Sequence, residues 1–317
     1  MEAREYRFLT PGGNWMKIGS MVSLGLAGYR SPLPAGSRVA VITGDPGAMC
    51  MDGPALVDRG EFDVCMTTPL WYGAAAHYGR WRFERPLNVK AIASFPHDDQ
   101  LLFLVRAETG LRSLHDIREQ RYPLRLSVPS SLMKHPAGVV AEEVLAEYGI
   151  TLQDIEAWGG ELLKDRPANQ NHPDAVPVDP SFTAIFDEAI MTRRWQKITT
   201  QYDMRFLPVD DDVLARLEAR GLPRRFLPAG RFRGQDADVP GVDFSGWVML
   251  ANGDLPDEFT YYLARAIDQQ KDAIHEVFPS PTAGLTGPVD LAQSARELPL
   301  PLHPGAETYY REKGYLQ

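Results

Sequence analysis

Short runs of strand-forming residues alternate along this chain with longer stretches whose apolar residues recur at helical spacing, and no other feature constrains the fold as much. The runs are Tyr6 to Leu9, Arg38 to Thr43, Asp63 to Thr67, Val89 to Ala93, Leu101 to Val105, Leu124 to Val128 and Ala184 to Ile190. Between them, Asn14 to Leu26, Gly53 to Arg59, Pro136 to Tyr148 and Asp257 to Glu276 read as helices. Gly149 supplies a C-cap for the third, and Pro256 with Asp257 a start for the fourth. Strands that alternate with helices make an α/β fold. Several strand ends run directly into Gly, Pro, Ser or Thr before a helix begins, and in open α/β sheets that edge is where ligands sit.

A chain of 317 residues exceeds one compact core, so two domains are expected. The formal charge of −9 excludes a nucleic-acid surface or an anionic membrane as the main partner, so any anion site must be a local pocket. The longest apolar stretches, Leu101 to Val105 and Trp247 to Ala251, fall far short of the roughly 20 residues that span a bilayer. Glu2, Arg4, Glu5 and Arg7 interrupt the first ten residues, where a secretory leader would carry its apolar core. The chain as written is therefore expected in the cytoplasm, and in the periplasm if a leader precedes it. Cys50 and Cys65 make no disulfide framework and are expected to be reduced thiols. The segment Lys164 to Pro180, with four prolines, reads as a surface loop or lid, and the closing LPLPLHPGAETYYREKGYLQ as an extended strap ending in a short helix.

Specific stretches resemble the TAXI-type solute-binding proteins of tripartite (TRAP) transporters. They are LPAGRFRGQDADVPGVDFSGWVMLANGDLPDEFTYYLARAI from Leu227 to Ile267, VKAIASFPHDDQLLFLVRAETGLRSLHDIR from Val89 to Arg118, and the closing LPLPLHPGAETYYREKG. The resemblance implies a two-lobed, type II periplasmic-binding-protein-like fold with a ligand cleft between the lobes. Residues 1–105 and 248–317 would form lobe one and residues 106–247 lobe two, with hinge crossings near 105 and 245. The implied function is a clamp over a small organic acid, with membrane transporter subunits as partners if the protein is exported. Two departures bear on the ligand. The N-terminal loop is TPGGNW where the family has a Thr-Gly run and a tyrosine pair, and lobe two carries the long loop followed by SFTAIFDEAIMTRRW.

The loop Thr10 to Trp15 offers a hydroxyl, backbone N–H groups at Gly12 and Gly13, Asn14 and an indole at a helix start, a combination suited to a carboxylate. Thr67, Thr68 and Trp71, where a strand ends, are further ligand-binding candidates. A second anion loop holds Ser130 and Ser131 with Lys134 and His135 before the helix at Pro136; its plainer reading is an N-cap. In FDEAIMTRRW, Asp187 and Glu188 precede Arg193 and Arg194, one of which would grip a carboxylate while Trp195 stacks on a ring. An exposed salt-bridge cluster is the plainer reading there.

An intracellular enzyme on the same fold, a decarboxylase or lyase acting on an aromatic or unsaturated acid, is the alternative function. His97 beside Asp98 and Asp99 would then be the general acid or base, and Cys50, read as lying in a loop before a helix, the one nucleophile. The chain has no HxH, HExxH or CxxC spacing, and no GxSxG, Walker or GxGxxG motif. No metal and no cofactor are expected.

Overall fold

The computed structural model describes residues 1–28, 31–129, 131, 134–163, 180–188, 190–278 and 284–317. The chain divides into two compact units, one made of Met1–His97 and Ser245–Gln317, the other of Asp98–Phe244. The first unit opens with β1 (Glu5–Leu9), α1 (Asn14–Ala27), β2 (Arg38–Ile42), α2 (Pro46–Asp58), β3 (Val64–Thr67), α3 (Leu70–Tyr78) and β4 (Val89–Phe95). The second runs through β5 (Gln100–Arg106), α4 (Leu114–Glu119), β6 (Arg125–Ser127), α5 (Pro136–Glu147), α6 (Leu152–Ala157) and β7 (Glu161–Leu163). It continues with β8 (Ala184–Asp187), α7 (Arg193–Gln201), β9 (Met204–Leu207), α8 (Asp211–Ala219), β10 (Arg224–Leu227) and β11 (Val239–Asp243). The chain then returns to the first unit with β12 (Trp247–Asn252), α9 (Asp257–Glu276), α10 (Leu291–Glu297) and α11 (Pro304–Glu312). Alternating strands and helices thus give the α/β class that the sequence pattern requires.

In the first unit five strands lie in the order β2-β1-β3-β12-β4. β1 runs parallel to β2 and β3, whereas β12 is antiparallel to both β3 and β4. The carboxyl ends of β1 to β4 therefore share one edge of the sheet with the first residue of β12, Trp247. α1 and α9 cover one face: Ile18, Val22 and Leu26 from α1, and Phe259, Leu263 and Ile267 from α9, are buried with Tyr6 and Phe8 of β1. Tyr6 and Phe259 stack with centroids 3.8 Å apart. Burying each such side chain is worth about 1.5–3 kcal/mol, so this apolar layer, and not helix propensity, holds α9 in place. The C-terminal strap is tied to β4 through Ala91 N–H to the Pro301 carbonyl and His303 N–H to the Ala91 carbonyl, both 2.9 Å, before α11 begins.

The second unit is built on seven strands, β10-β11-β5-β8-β6-β7 with β9 also on β5. Its core gathers Phe182, Ile185, Trp195, Ile198, Phe206 and Phe232. The run Leu101 to Val105, placed by sequence in lobe one, belongs here. As β5 it pairs with β8, β9 and β11, all distant in sequence, so the units divide between His97 and Asp98 and again between Phe244 and Ser245. A second correction concerns α2, which begins well before Gly53. The Asp45 carboxylate accepts the Ala48 N–H at 2.8 Å and caps the helix eight residues earlier than the apolar spacing suggests.

Candidate functional site: the carboxyl edge of the first sheet

β1 ends at Thr10, whose N–H bonds the Ile42 carbonyl at 2.9 Å, and Gly12 N–H bonds the Gly44 carbonyl at 3.1 Å. The loops after β1 and β2 are thereby stitched together. A Cβ on residue 12 would lie 2.8 Å from the Gly44 oxygen, a backbone atom that cannot swing away, so the close approach requires glycine. The N–H group of Gly12 that the sequence reading offered to a ligand is consequently spent on Gly44. Gly13, with φ of 84°, is the N-cap of α1 and brings no side-chain acceptor to the N–H groups of the first turn.

Three buried polar atoms at this edge have no hydrogen-bond partner among the described residues: Thr10 Oγ1, Trp15 Nε1 and Trp247 Nε1. Thr10 is 1% exposed and Trp247 2%, while Trp15 is half-buried. The indoles of Trp15 and Trp247 meet at 5.3 Å between centroids, tilted by 54°; Trp247 lies 4.5 Å from the His97 ring and 6.1 Å from that of Phe278. His97 is buried, with Nδ1 2.7 Å from the Gly284 carbonyl oxygen. A carbonyl only accepts, so Nδ1 carries the proton. An indole N–H is a donor and nothing else, and a hydroxyl donates as well as accepts. The edge therefore presents donors and lacks acceptors for them, which is the chemistry of a site for an oxygen-rich, negatively charged group.

Other expected residues of this unit are committed elsewhere. Thr67 Oγ1 donates to the Cys50 carbonyl at 2.7 Å and Thr68 Oγ1 to the Gly246 carbonyl at 3.3 Å, so both hydroxyl protons serve the backbone. Trp71 is buried edge-on against Trp81 at 5.2 Å and Tyr72 at 6.3 Å, a packing role. Cys50 lies inside α2 and not in a loop, fully buried, which removes it as a nucleophile poised at a helix start. Cys65 is buried in β3, and burial pushes its thiol far above the usual range.

In the second unit Ser130 lies outside the described residues, as do residues 164–179 of the long loop. The Ser131 hydroxyl donates to the Glu142 carboxylate of α5. The cap of α5 is His135, whose Nδ1 accepts the Ala137 N–H at 3.3 Å, and not Ser131. Lys134 sits just ahead with φ of 52°. Arg193 is exposed on the first turn of α7, and Arg194 is buried with Nε 3.0 Å from Thr192 Oγ1. Trp195 is 0% exposed in the core and donates Nε1–H to the Glu188 carbonyl at 3.0 Å, so it is no platform for a ligand ring. The Glu188 N–H bonds Asp187 Oδ1 at 2.8 Å. Asp98 takes Arg225 at 2.5 Å and Arg231 at 2.8 Å, while Asp99, wholly buried, accepts the N–H groups of Gln100 and Ile190 at 2.8 and 3.1 Å. The two acids that sequence reading set beside His97 are thus engaged in ion pairs and backbone hydrogen bonds. That reading also missed Trp247, which opens an apolar run and gives no local sign of where the chain folds it.

The fold is that of an α/β protein of two sheet-containing units, with unpartnered buried donors at the carboxyl edge of the first. The chain belongs to the NMT1-like family, whose model matches residues 51–314. Among solved structures it is similar to XAC2383 from Xanthomonas citri bound to ATP, at 12% identity over 99% of each chain with a TM-score of 0.49. It is also similar to MatC from Rhodopseudomonas palustris with bound malate, at 10% identity over 99% of this chain and 98% of that one, TM-score 0.48. A third is a TctC solute binding protein from Polaromonas, at 14% identity over 99% of each chain, TM-score 0.46. No helix among the described residues is long and apolar enough to cross a membrane.

Proposed function

We propose that the protein binds a small organic acid by its carboxylate at the carboxyl edge of the first unit's sheet, as a solute-binding protein. The observation that carries this reading is the set of three buried polar atoms, Thr10 Oγ1, Trp15 Nε1 and Trp247 Nε1, that lack a partner among the described residues. A buried donor left unsatisfied costs about 1–3 kcal/mol, and a bond from it to a charged acceptor returns about 1.5–3 kcal/mol. Three on one edge amount to a standing cost that an incoming carboxylate removes. The first turn of α1, which Gly13 leaves without a side-chain cap, adds N–H groups and the positive end of the helix dipole.

The TAXI-type form of this function is the finer reading, supported by the stretches Leu227 to Ile267 and Val89 to Arg118; delivery to a membrane transporter belongs to that form. Turnover of the acid would need Cys50 or His97, one buried in a helix and the other fixed between Gly284 and Trp247, whereas binding needs neither. The test is a thermal-shift screen of carboxylic acids, each paired with its methyl ester. A ligand at 100 times its dissociation constant stabilises by about 2.7 kcal/mol. At least one acid is expected to raise the melting temperature where its ester does not. A panel in which acids and esters behave alike would refute carboxylate recognition.

A further inference from the structure

The second unit carries a cleft of its own, lined by none of the candidate ligand residues above. It holds about 570 Å³ between Arg118 and Glu119 at the end of α4, Arg121 in the turn that follows, Gly149 after α5, and Asp154 and the C-cap Trp158 of α6. All three helices end in the same turn. The N–H of the residue after the C-cap bonds the carbonyl three residues back, and the next N–H the carbonyl five back. These bonds run from Arg121 to Arg118 and Tyr122 to Ile117 at 3.1 and 3.0 Å, from Gly149 to Ala146 and Ile150 to Leu145 at 2.9 and 3.0 Å, and from Gly159 to Glu156 and Gly160 to Ile155 at 3.0 and 2.9 Å. The turn sets its first residue in the left-handed region, with φ of 45°, 66° and 90°. Glycine suits such a position, and α5 and α6 have it there. α4 has an arginine, a side chain kept against the preference of its own backbone.

Arg118 is held in place as well. Its guanidinium lies against Gly149, where a Cβ would be 2.4 Å from Nη1 and 2.8 Å from Cζ, and Nη1 donates to the Tyr148 carbonyl at 3.2 Å. That spends one of five N–H groups. Neither Arg118 nor Arg121 makes an ion pair among the described residues. The acids of the cleft do not cancel them. Asp154 accepts the Thr151 N–H and hydroxyl at 2.8 and 2.7 Å, and its carboxyl is held below the ordinary value chiefly by those bonds and last by Arg118. His115, also on the cleft, has Nε2 3.5 Å from the Asp210 carboxylate. Glu119 is the remaining acid of the lining, set against two guanidinium groups. At each helix end the turn takes two of the last carbonyls, so they stand less in the way of an anion. Two planar donor forks are more than one carboxylate fills, whereas a phosphate brings about two charges and three acceptor oxygens. We infer that the second unit binds a phosphate group through Arg118 and Arg121, free or as the head of a small ester, for whose remainder the cleft has room.

The experiment is a thermal melt of the full chain in potassium phosphate and in potassium chloride of equal ionic strength, then calorimetric titration with inorganic phosphate and with glycerol 3-phosphate. Wild type is compared with Arg118→Gln, Arg121→Gly, Glu119→Gln and Thr10→Val. Phosphate is expected to raise the melting temperature of wild type where chloride does not. Arg121→Gly relieves the left-handed backbone, so the ligand-free variant melts about 2–4 °C higher, yet it binds phosphate at least about 10-fold more weakly. Arg118→Gln weakens binding by a similar factor, and Glu119→Gln strengthens it. Tighter binding of glycerol 3-phosphate than of inorganic phosphate names an ester as the occupant and the reverse order the free anion, and both support the site. Equal melting in phosphate and chloride overturns the inference, as does phosphate binding that survives in both arginine variants. An Arg121→Gly protein that melts no higher shows that the arginine sits there at no cost, and overturns it too. Loss of the phosphate response in Thr10→Val would place the anion at the first unit's edge, which overturns this site and leaves the carboxylate reading standing.

Discussion

Replacing Thr10 by valine separates stability from binding, because the two respond with opposite sign. The Thr10 side chain is 1% exposed and its Oγ1 finds no partner among the described residues. Its Cγ2 would be 2.3 Å from a Cβ on Gly19, a position that has none, and Oγ1 would stand 3.4 Å from it. A methyl group in place of Oγ1 keeps the β-branched shape and nearly the same volume, and valine is as content as threonine at the end of a strand. In the ligand-free protein the substitution removes a buried hydroxyl whose desolvation costs about 1–3 kcal/mol, so Thr10→Val should be neutral or stabilising by about 1 kcal/mol. That is a rise of roughly 2–4 °C in the melting of a unit this size. With an acid bound, the same change deletes a hydrogen bond to a charged group, worth about 1.5–3 kcal/mol, or roughly 10- to 150-fold in dissociation constant. Urea melts of both proteins give the first quantity and calorimetric titration with the best acid from the screen gives the second. Destabilisation of the ligand-free protein by more than 1 kcal/mol would mean that the hydroxyl already has a partner. Unchanged affinity would place Thr10 outside the site, and either result refutes the reasoning.

Two further outcomes concern the frame that holds this edge. A Cβ on residue 305 would lie 1.9 Å from the Asp257 carbonyl oxygen and 2.4 Å from Thr260 Oγ1, so Gly305→Ala must push α11 off α9; a loss of about 1–3 kcal/mol in urea melts is expected, and an unaltered midpoint would show the contact to be looser. His303 is fully buried, with Nδ1 2.8 Å from Thr260 Oγ1 and 3.6 Å from Asp257 Oδ1, and burial holds its imidazole below the ordinary value despite the opposing pull of Asp257. The folded state thus takes up this proton less readily than the unfolded state. The stabilisation is complete above the unfolded value near 6.5 and is lost as pH falls through the folded one. His303→Gln should flatten that part of the melting-temperature profile, and an unchanged slope would assign it to other groups.

How far the sequence could be read depended on whether a segment's surroundings are local. β1, β2 and the Val64–Thr67 strand each lie next to a helix in sequence, and α9 shows its start because an amphipathic pattern begins directly after Pro256. α2 misled because Gly53 and Pro54 sit inside the helix, where they look like its entrance, while the real start is one carboxylate, Asp45, eight residues upstream of Gly53. β9, β10 and β11, with the sequences MRFL, RRFL and VPGVD, have little apolar pattern of their own; they are strands because β5 and one another supply the partners. The site divides along the same line. The TPGG turn and the helix start at Trp15 show in the sequence as a turn before a helix, but not that the Gly12 N–H is taken by the Gly44 carbonyl of another loop. Trp195 has the residue type of a ligand platform, but it follows Thr192 into a helix whose buried face, Arg194, Trp195, Ile198 and Thr199, turns it into the core. Trp247 has the residue type of a core and became part of the edge, because antiparallel pairing of Val248 with Thr67 and of Trp247 with Phe95 sets it across from strands far earlier in the chain. Register sets Trp247 at the edge where β4 ends, its ring meeting that of Trp15, and register is a property of pairs of strands. A donor that only pairing can place is also one that only pairing can leave without an acceptor, which is why the strongest sign of a ligand here is a feature of the fold and not a motif.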